Sequence, residues 1–419
     1  MMATASEARR RLAFVEQFYY PEGWGGAELP RDLTVHLARA GFDVEVICGS
    51  DQYAPVDGDP GPNPAEAGVR VRRVGLALGG DIRRHKLLRQ LLFYAGLALR
   101  LLLRAPPDLF VTQTNPPLAV PLVALAAAVW RRPYLIIAMD IYPEVLVAHG
   151  AVGRDSPLAR VLTGLFGWAY RSATRVVALG PVMGGRLGLK GVASDRLVEI
   201  SNWSTGAPGL VRGESSALAR EWGLVGKFVL VYSGNLGIGH EFDTLLQGFA
   251  QALRRNPDLR LVIIGKGSRL EEVRRLSVSL QLGDAVQFAG FVPAARLPES
   301  LGLADLAVVT LRPGFEGLIV PSKLLGYLAR GVPVLYVGPD SDVARLVTRF
   351  ECGYAVANGD AAGVCDSVLD ARSDLAALAA KGEAGRVGYE ARLSRALGVA
   401  RYTETIRDCL TDDARRSGT

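Results

Sequence analysis

A histidine and two lysines stand in or beside glycine-rich segments of the second half of the chain, where phosphate chemistry is the natural use for them. Ser233-Gly234-Asn235-Leu236-Gly237-Ile238-Gly239-His240 offers Asn235 and His240 as hydrogen-bond donors. Its glycines let backbone N–H groups come close to an anion. Ile264-Gly265-Lys266-Gly267-Ser268 repeats the arrangement with a lysine. Glu316–Tyr327 runs from a glycine-containing loop into a helical pattern. Pro321 and Ser322 suit the start of that helix, and Lys323 puts a positive charge where a diphosphate would sit. In the first half, Gly25 and Gly26 open a helical run after the first strand, and a helix entrance of that kind favours anions. Taken singly, each segment is equally readable as a tight strand-to-helix turn, and a lone histidine is more often structural than reactive. Three glycine turns at strand ends weigh more than one. The chain lacks G-x-x-x-x-G-K-[ST], which argues against a P-loop ATPase.

Two carboxylates form the other chemical cluster. Asp140 and Glu144, in Ala138-Met139-Asp140-Ile141-Tyr142-Pro143-Glu144, are placed to bind sugar hydroxyls, orient an acceptor or move a proton; helix capping is the plainer use for both. Between these sites, residues 82–104 read as a leucine-rich helix on which Lys86, Arg89, Arg100 and Arg104 share an arc of roughly 60°. Such a basic stripe is expected to face an anionic membrane surface, or else to be the solvated side of an ordinary packed helix.

Positioning these residues requires a particular architecture. Short β-rich apolar runs alternate with helical patterns along the whole chain, which is the mark of parallel sheets with crossover helices. The expected strands are Leu12–Gln17, Val44–Cys48, Val69–Val74, Leu109–Gln113, Tyr134–Ala138, Arg175–Ala178 and Leu197–Ile200 in the first half. Phe228–Ser233, Leu259–Ile264, Val286–Ala289, Leu306–Thr310, Val334–Tyr336 and Tyr354–Val356 follow in the second. Asn202–Gly213, rich in Ser, Gly and Pro, reads as a linker, and Asp57–Pro64 as a surface loop. At 419 residues, two domains are expected. The fold class is therefore α/β, two Rossmann-like doubly wound domains that bind ligands beyond the carboxyl ends of their strands.

Composition narrows the setting. Hydrophobic residues make up 49% and charged residues 21%, enough to fill two cores and too apolar for disorder. Cys48, Cys352, Cys365 and Cys409 lack the pairing of a zinc site or disulfide framework, so a reducing, cytoplasmic setting is expected. The first residues carry no signal-peptide pattern, and no apolar run reaches the about 20 residues that span a bilayer. A net charge of +6 favours anionic partners. The glycine turns select a phosphorylated ligand among these, and no nucleic acid is expected.

Together these motifs resemble the retaining family-4 glycosyltransferases of GT-B fold, especially those that build O-antigen, colanic acid and other surface polysaccharides. The resemblance spans nearly the whole chain. Its most specific pieces are Asp140-Ile-Tyr-Pro-Glu144 with Asn202-Trp203, Ser233-Gly-Asn-Leu-Gly237, Pro321-Ser-Lys-Leu324 with Gly331-Val-Pro-Val334, and Cys352-Gly353 with Gly359-Asp360. It implies an acceptor-binding domain over residues 1–205, a nucleotide-sugar domain over 206–395, a central cleft, and a final helix, 396–419, crossing back to the first domain. It implies a nucleotide-sugar donor, a UDP-linked hexose or N-acetylhexosamine, with the base near Phe291 and Val292, the diphosphate near Gly234 and Lys323, and Gly25-Gly26 closing from the other side. The implied acceptor is a polyprenyl-diphosphate sugar or similar glycan at the inner face of the membrane, and no metal or other cofactor is expected. Departures are visible: many members carry Arg and Lys where Asn235 and His240 stand, which leaves Lys323, Lys266 or Arg312 to bind phosphate, and the two glutamates that many carry near the ribose fall at Leu318 and Gly326. A GT-B epimerase or phosphorylase, or a binding subunit without turnover, are the competing expectations.

Overall fold

A computed structural model describes residues 9–21, 25–50, 63–75, 86–205, 217–290, 292 and 296–417. The chain forms two compact units, one comprising Met1–Val147, Val152–Ser201 and Gly398–Thr419, the other Ala148–Ala151 and Asn202–Leu397. In the first unit the elements are β1 (Arg11–Val15), α1 (Gly25–Arg39), β2 (Asp43–Gly49), β3 (Arg70–Val74), α2 (Lys86–Leu103), β4 (Leu109–Gln113), α3 (Ala119–Trp130), β5 (Tyr134–Ala138), α4 (Glu144–Ala148), α5 (Pro157–Ser172), β6 (Arg175–Ala178), α6 (Pro181–Leu189) and β7 (Leu197–Glu199). The second contains α7 (Ala217–Glu221), β8 (Phe228–Ser233), α8 (Asp243–Arg255), β9 (Leu259–Ile264), α9 (Leu270–Ser279), β10 (Val286–Gly290), α10 (Leu297–Leu301), β11 (Leu306–Thr310), α11 (Lys323–Leu328), β12 (Val334–Val337), α12 (Asp342–Arg349), β13 (Gly353–Val356), α13 (Ala361–Ser373) and α14 (Leu375–Arg392). The last helix, α15 (Arg395–Ser417), belongs from Gly398 onward to the first unit, where Asp412 pairs with Arg175 at 2.7 Å.

Both sheets are parallel, in orders β3-β2-β1-β4-β5-β6-β7 and β10-β9-β8-β11-β12-β13. Every expected strand forms, within two residues of its expected limits. The reason is burial: β4 and β5 are fully buried along their length, as central strands covered on both faces must be; β5 reads as an unbroken apolar run, and β4 as one up to Val111, with Thr112 and Gln113 buried at its end. By contrast β3, with its sequence Arg-Val-Arg-Arg-Val, is a charged edge. Strand order reverses between β1 and β4 and again between β8 and β11, and a crevice at the carboxyl end of such a switch point is where open α/β sheets bind ligands. The four cysteines are buried, and none is in a disulfide.

Two of the four residues of the expected basic stripe on helix α2, Arg89 and Arg100, turn inward, while Arg104 is exposed as expected. Arg89 is buried and Arg100 reaches Glu45 of β2 at 2.5 Å, whereas Leu87 and Leu103 stand 75% and 72% exposed. The cause lies in Phe93, which shares the arc of the basic residues, and in Leu97 and Leu101, which flank it; these three buried side chains must cover the sheet. Glu45 supplies the charge that lets Arg100 follow them inward. Residues 82–85 of the expected stripe lie outside the described ones, as do 57–62 of the expected loop and 206–213 of the expected linker.

The strand ends of the second unit are locked together by backbone. Gly234 donates to Ile264 (2.9 Å) and Gly265 to Gly290 (2.7 Å), while Leu236 donates to Lys266 (2.9 Å). A Cβ on Gly265 would lie 2.0 Å from the Gly234 carbonyl oxygen, and one on Gly267 2.2 Å from that of Leu236. These glycines are fixed by packing. Gly265→Ala is expected to cost at least about 1–3 kcal/mol through overpacking, seen as a lower urea midpoint. Gly185→Ala in α6, where a Cβ meets nothing within 4 Å, is expected to be neutral or to stabilise by up to about 1 kcal/mol in the same measurement.

Candidate functional site

The residues at the end of β8 form a tight cluster around one ammonium group. Lys323, first residue of α11, lays Nζ over the Tyr232 ring at 3.9 Å, donates to the Tyr232 hydroxyl at 2.5 Å, and meets His240 Nε2 at 3.4 Å. The Tyr232 hydroxyl in turn donates a hydrogen bond to the Asn235 backbone carbonyl at 2.8 Å. His240 Nδ1 lies 2.8 Å from the Thr310 carbonyl, which can only accept, so that nitrogen carries the hydrogen and Nε2 presents its lone pair to the lysine. Burial, with Lys323 as the next cause, pushes the His240 pKa down to about 3, so the ring is neutral at ordinary pH. Desolvation likewise drives Lys323 well below the usual lysine range. Among the described residues no carboxylate pairs with Lys323. A cation surrounded by neutral dipoles is a place for an incoming anion.

Surrounding contacts fix this cluster. Tyr327 of α11 accepts from the backbone of Ser233 (3.0 Å) and donates to the Val231 carbonyl (3.3 Å), tying α11 to the end of β8. Buried Arg269 binds Glu272 through two nitrogens and also donates to the His240 carbonyl, which holds the glycine turn in place. Gly234 has a φ of 142°, and a Cβ there would lie 3.1 Å from Lys323 Cε, so this glycine leaves room for the lysine.

The other expected ligands are distributed around the cluster or away from it. Asn235, Lys266, Ser322 and Arg312 are exposed, and the Arg312 backbone N–H donates to Gly239 at 2.8 Å. Ser322 precedes α11 without capping it, because its backbone is already helical, and Pro321 is buried before it. Val292 packs on the apolar cluster of Leu218, Val229 and Val262. Phe291 lies outside the described residues. Leu318 is buried, so an apolar side chain fills the place where a ribose-binding carboxylate was sought.

In the first unit, Gly25 and Gly26 form the first turn of α1. Asp140 follows β5, its backbone N–H and that of Met139 both held by Thr114 Oγ1 at 2.9 and 3.0 Å. Burial raises the Asp140 pKa to about 6. Glu144 is engaged otherwise, in an ion pair with Lys190, which leaves Asp140 as the more available carboxylate. A further carboxyl, Glu16, sits buried just after β1, its pKa well raised by desolvation and its Oε1 without a partner. The sequence reading missed Glu16, Tyr232, Arg269 and Thr310. Only Glu16 carried a signal, a charged residue closing an apolar strand.

Comparison with known proteins follows this division. Residues 25–203 match the family model described as "Glycosyl transferase 4-like domain", and 217–386 that described as "Glycosyl transferases group 1". The chain is 29% identical over 251 residues to a probable glycosyltransferase, WbjE, of Pseudomonas aeruginosa, covering 59% of this chain and 62% of that one. It is 32% identical over 147 residues to a GDP-mannose-dependent phosphatidylinositol monomannoside mannosyltransferase of Mycolicibacterium smegmatis, covering 34% and 38%. In both cases the match spans less than two thirds of the relative's length. The structure of HepE from Anabaena in complex with UDP-glucose superposes with a TM-score of 0.70 over 96% of this chain and 99% of that one, at 19% identity, a likeness of fold.

Tyr232→Phe removes the hydroxyl that accepts from Lys323 and donates to Asn235. It is expected to lower unfolding free energy by about 1–3 kcal/mol in urea denaturation, because both partners are left short of a hydrogen bond.

Proposed function

The chain belongs to the family-4 glycosyltransferases of GT-B fold, and from that premise we propose that it moves a hexose from a nucleoside-diphosphate sugar to a lipid-linked glycan acceptor. The reading continues as a retaining transfer in surface polysaccharide or glycolipid synthesis, the processes that the names of several relatives carry. One observation supports it above the rest: the Lys323 ammonium, held at a switch point with neutral Tyr232 and His240 as its partners. A diphosphate entering there would meet a desolvated cation, where electrostatic stabilisation of the leaving group is strongest. Gly234 keeps the backbone open beside it. Asp140 would then orient the acceptor hydroxyl, and Glu16 is a second carboxyl at the same strand ends of the first unit. UDP is the proposed nucleotide; GDP is the competitor, since relatives at about this similarity are GDP-mannose-dependent. A binding subunit without turnover is the second reading, favoured by Leu318 and Gly326 standing where carboxylates were sought.

Titration calorimetry against UDP and GDP, followed by product analysis with the matching sugar donors, tests the proposal. No heat with either nucleotide would sink it, and binding without transfer would favour the second reading. Retention is checked by the anomeric configuration of the product.

Two pH effects are expected. A diphosphate beside Lys323 raises a pKa that burial has lowered, so binding takes up a proton wherever the free lysine is partly neutral. The charge contribution to affinity is complete below the free-enzyme pKa and is lost as pH rises through that of the complex. Calorimetry in two buffers of different ionisation enthalpy reads the uptake, and its absence at every pH where the protein is folded would remove Lys323 from the diphosphate. Asp140, with a raised pKa of about 6, acts as a base only when ionised. Turnover is expected to fall as pH drops through about 6 in the wild type, and to be at least about 100-fold lower and without that step in Asp140→Asn.

A further inference from the structure

Helices α2, α3 and α5 lie side by side on the first sheet, α3 between the other two. Of the eighteen large hydrophobic side chains exposed among the described residues, twelve fall between Leu87 and Trp168, on these helices or, for Leu118, at the entrance to α3. Scattered exposed leucines are ordinary, but a run of them across three neighbouring helices makes a patch that soluble surfaces seldom leave uncovered. None of the helices is long and apolar enough to cross a membrane, among the described residues.

Charge identifies the occupant. Lys86–Leu103, Ala119–Trp130 and Pro157–Ser172 contain no aspartate or glutamate. Arginines punctuate and border them instead: Arg160 and Arg171 are exposed on α5, and Arg104 and Arg131 are exposed where α2 and α3 end. Beside the last turn of α2 lies a cavity of about 390 Å³ whose charged lining is Arg11, Arg70, Arg72, Arg100 and Arg104 against the single Glu45. The exposed carboxylate closest in sequence is Asp155, in the turn before α5. An apolar protein partner gives no reason to exclude carboxylates from three helices at once. An anionic lipid surface does, because each one would be repelled by the headgroups.

We propose that the outer face of α2, α3 and α5 seats in the headgroup–acyl boundary of an anionic bilayer, leucines inserted and arginines at the rim. The lipid contact is read from the face itself; it rests on the lipid-linked acceptor only for its purpose, since such an acceptor is confined to that surface. This differs from attraction by a basic stripe, because Arg89 and Arg100 point inward and insertion is apolar. Insertion of that kind is not screened by salt.

Co-sedimentation with vesicles of mixed phosphatidylglycerol and phosphatidylcholine, and of phosphatidylcholine alone, tests it. The wild type is expected to bind the anionic vesicles and to keep part of that binding at high salt. Leu99→Glu/Leu103→Glu/Val161→Glu changes only exposed side chains, and should reduce vesicle partition more than tenfold with an unchanged thermal midpoint. Three results would each overturn the proposal: wild type that ignores anionic vesicles, a triple variant that binds as well as wild type, or a wild-type dimer that the triple variant turns into monomer. Failure to bind UDP or GDP with vesicle binding intact would count against the transferase reading and leave this face untouched.

Discussion

A lysine ammonium held among neutral groups is the constraint from which the second unit's site follows. Removing a charge from water costs several kcal/mol unless dipoles or counter-charges replace the solvent. Here the replacements are a tyrosine ring and hydroxyl and an imidazole lone pair. Each must be aimed. The Thr310 carbonyl fixes the imidazole tautomer, the Asn235 carbonyl fixes the tyrosine proton, and Tyr327 fixes the helix that carries the lysine. Without those second contacts the ammonium would swing to water and its pKa would return toward normal. The lowered pKa is thus a consequence of how firmly β8, β11 and α11 are joined.

The glycines divide into two kinds under the same constraint. Gly265 and Gly267 have neighbouring backbone where a side chain would go, so strand ends β8 and β9 approach more closely than any other residue would permit. Gly234 is different: what lies beside its missing side chain is the flexible end of Lys323. Close packing at the first two positions rigidifies the turn in which the third leaves room. A glycine-rich sequence therefore serves rigidity and access at once, and residue type alone does not tell which glycine does which.

The strands were legible because a buried parallel strand is largely apolar: β5 is so throughout, and β4 and β8 up to their last one or two residues. The turns were legible because backbone at strand ends needs glycine. What was not legible depends on partners distant in sequence. Tyr232 and Lys323 are 91 residues apart, and His240 is fixed by Thr310, 70 residues on. Read alone, Lys323 is a charge at the start of a helix; only the arrival of β8 beside α11 encloses it. Glu144 looked as available as Asp140 until Lys190, 46 residues away, claimed it. Ser322 carries the right side chain for a cap, but its backbone is helical, a property that no side chain announces.

Helix α2 shows why amphipathicity leaves a sign undetermined. A helix that is basic along one stripe and leucine-rich elsewhere can present either side to its sheet, and the moment of the pattern is the same. What decides is which side also carries the residues that fit the sheet. Phe93 lies beside Arg89 and Arg100 on the helix, with Leu97 and Leu101 next to it, so burying these three turns the arginines inward, and Glu45 makes that tolerable for Arg100. The leucines left outside then cost the folded chain hydrophobic stabilisation that a reversed register would have gained. Retaining that cost on three adjacent helices, each free of carboxylates, is consistent with a surface whose apolar side chains are meant to be covered by something other than this chain.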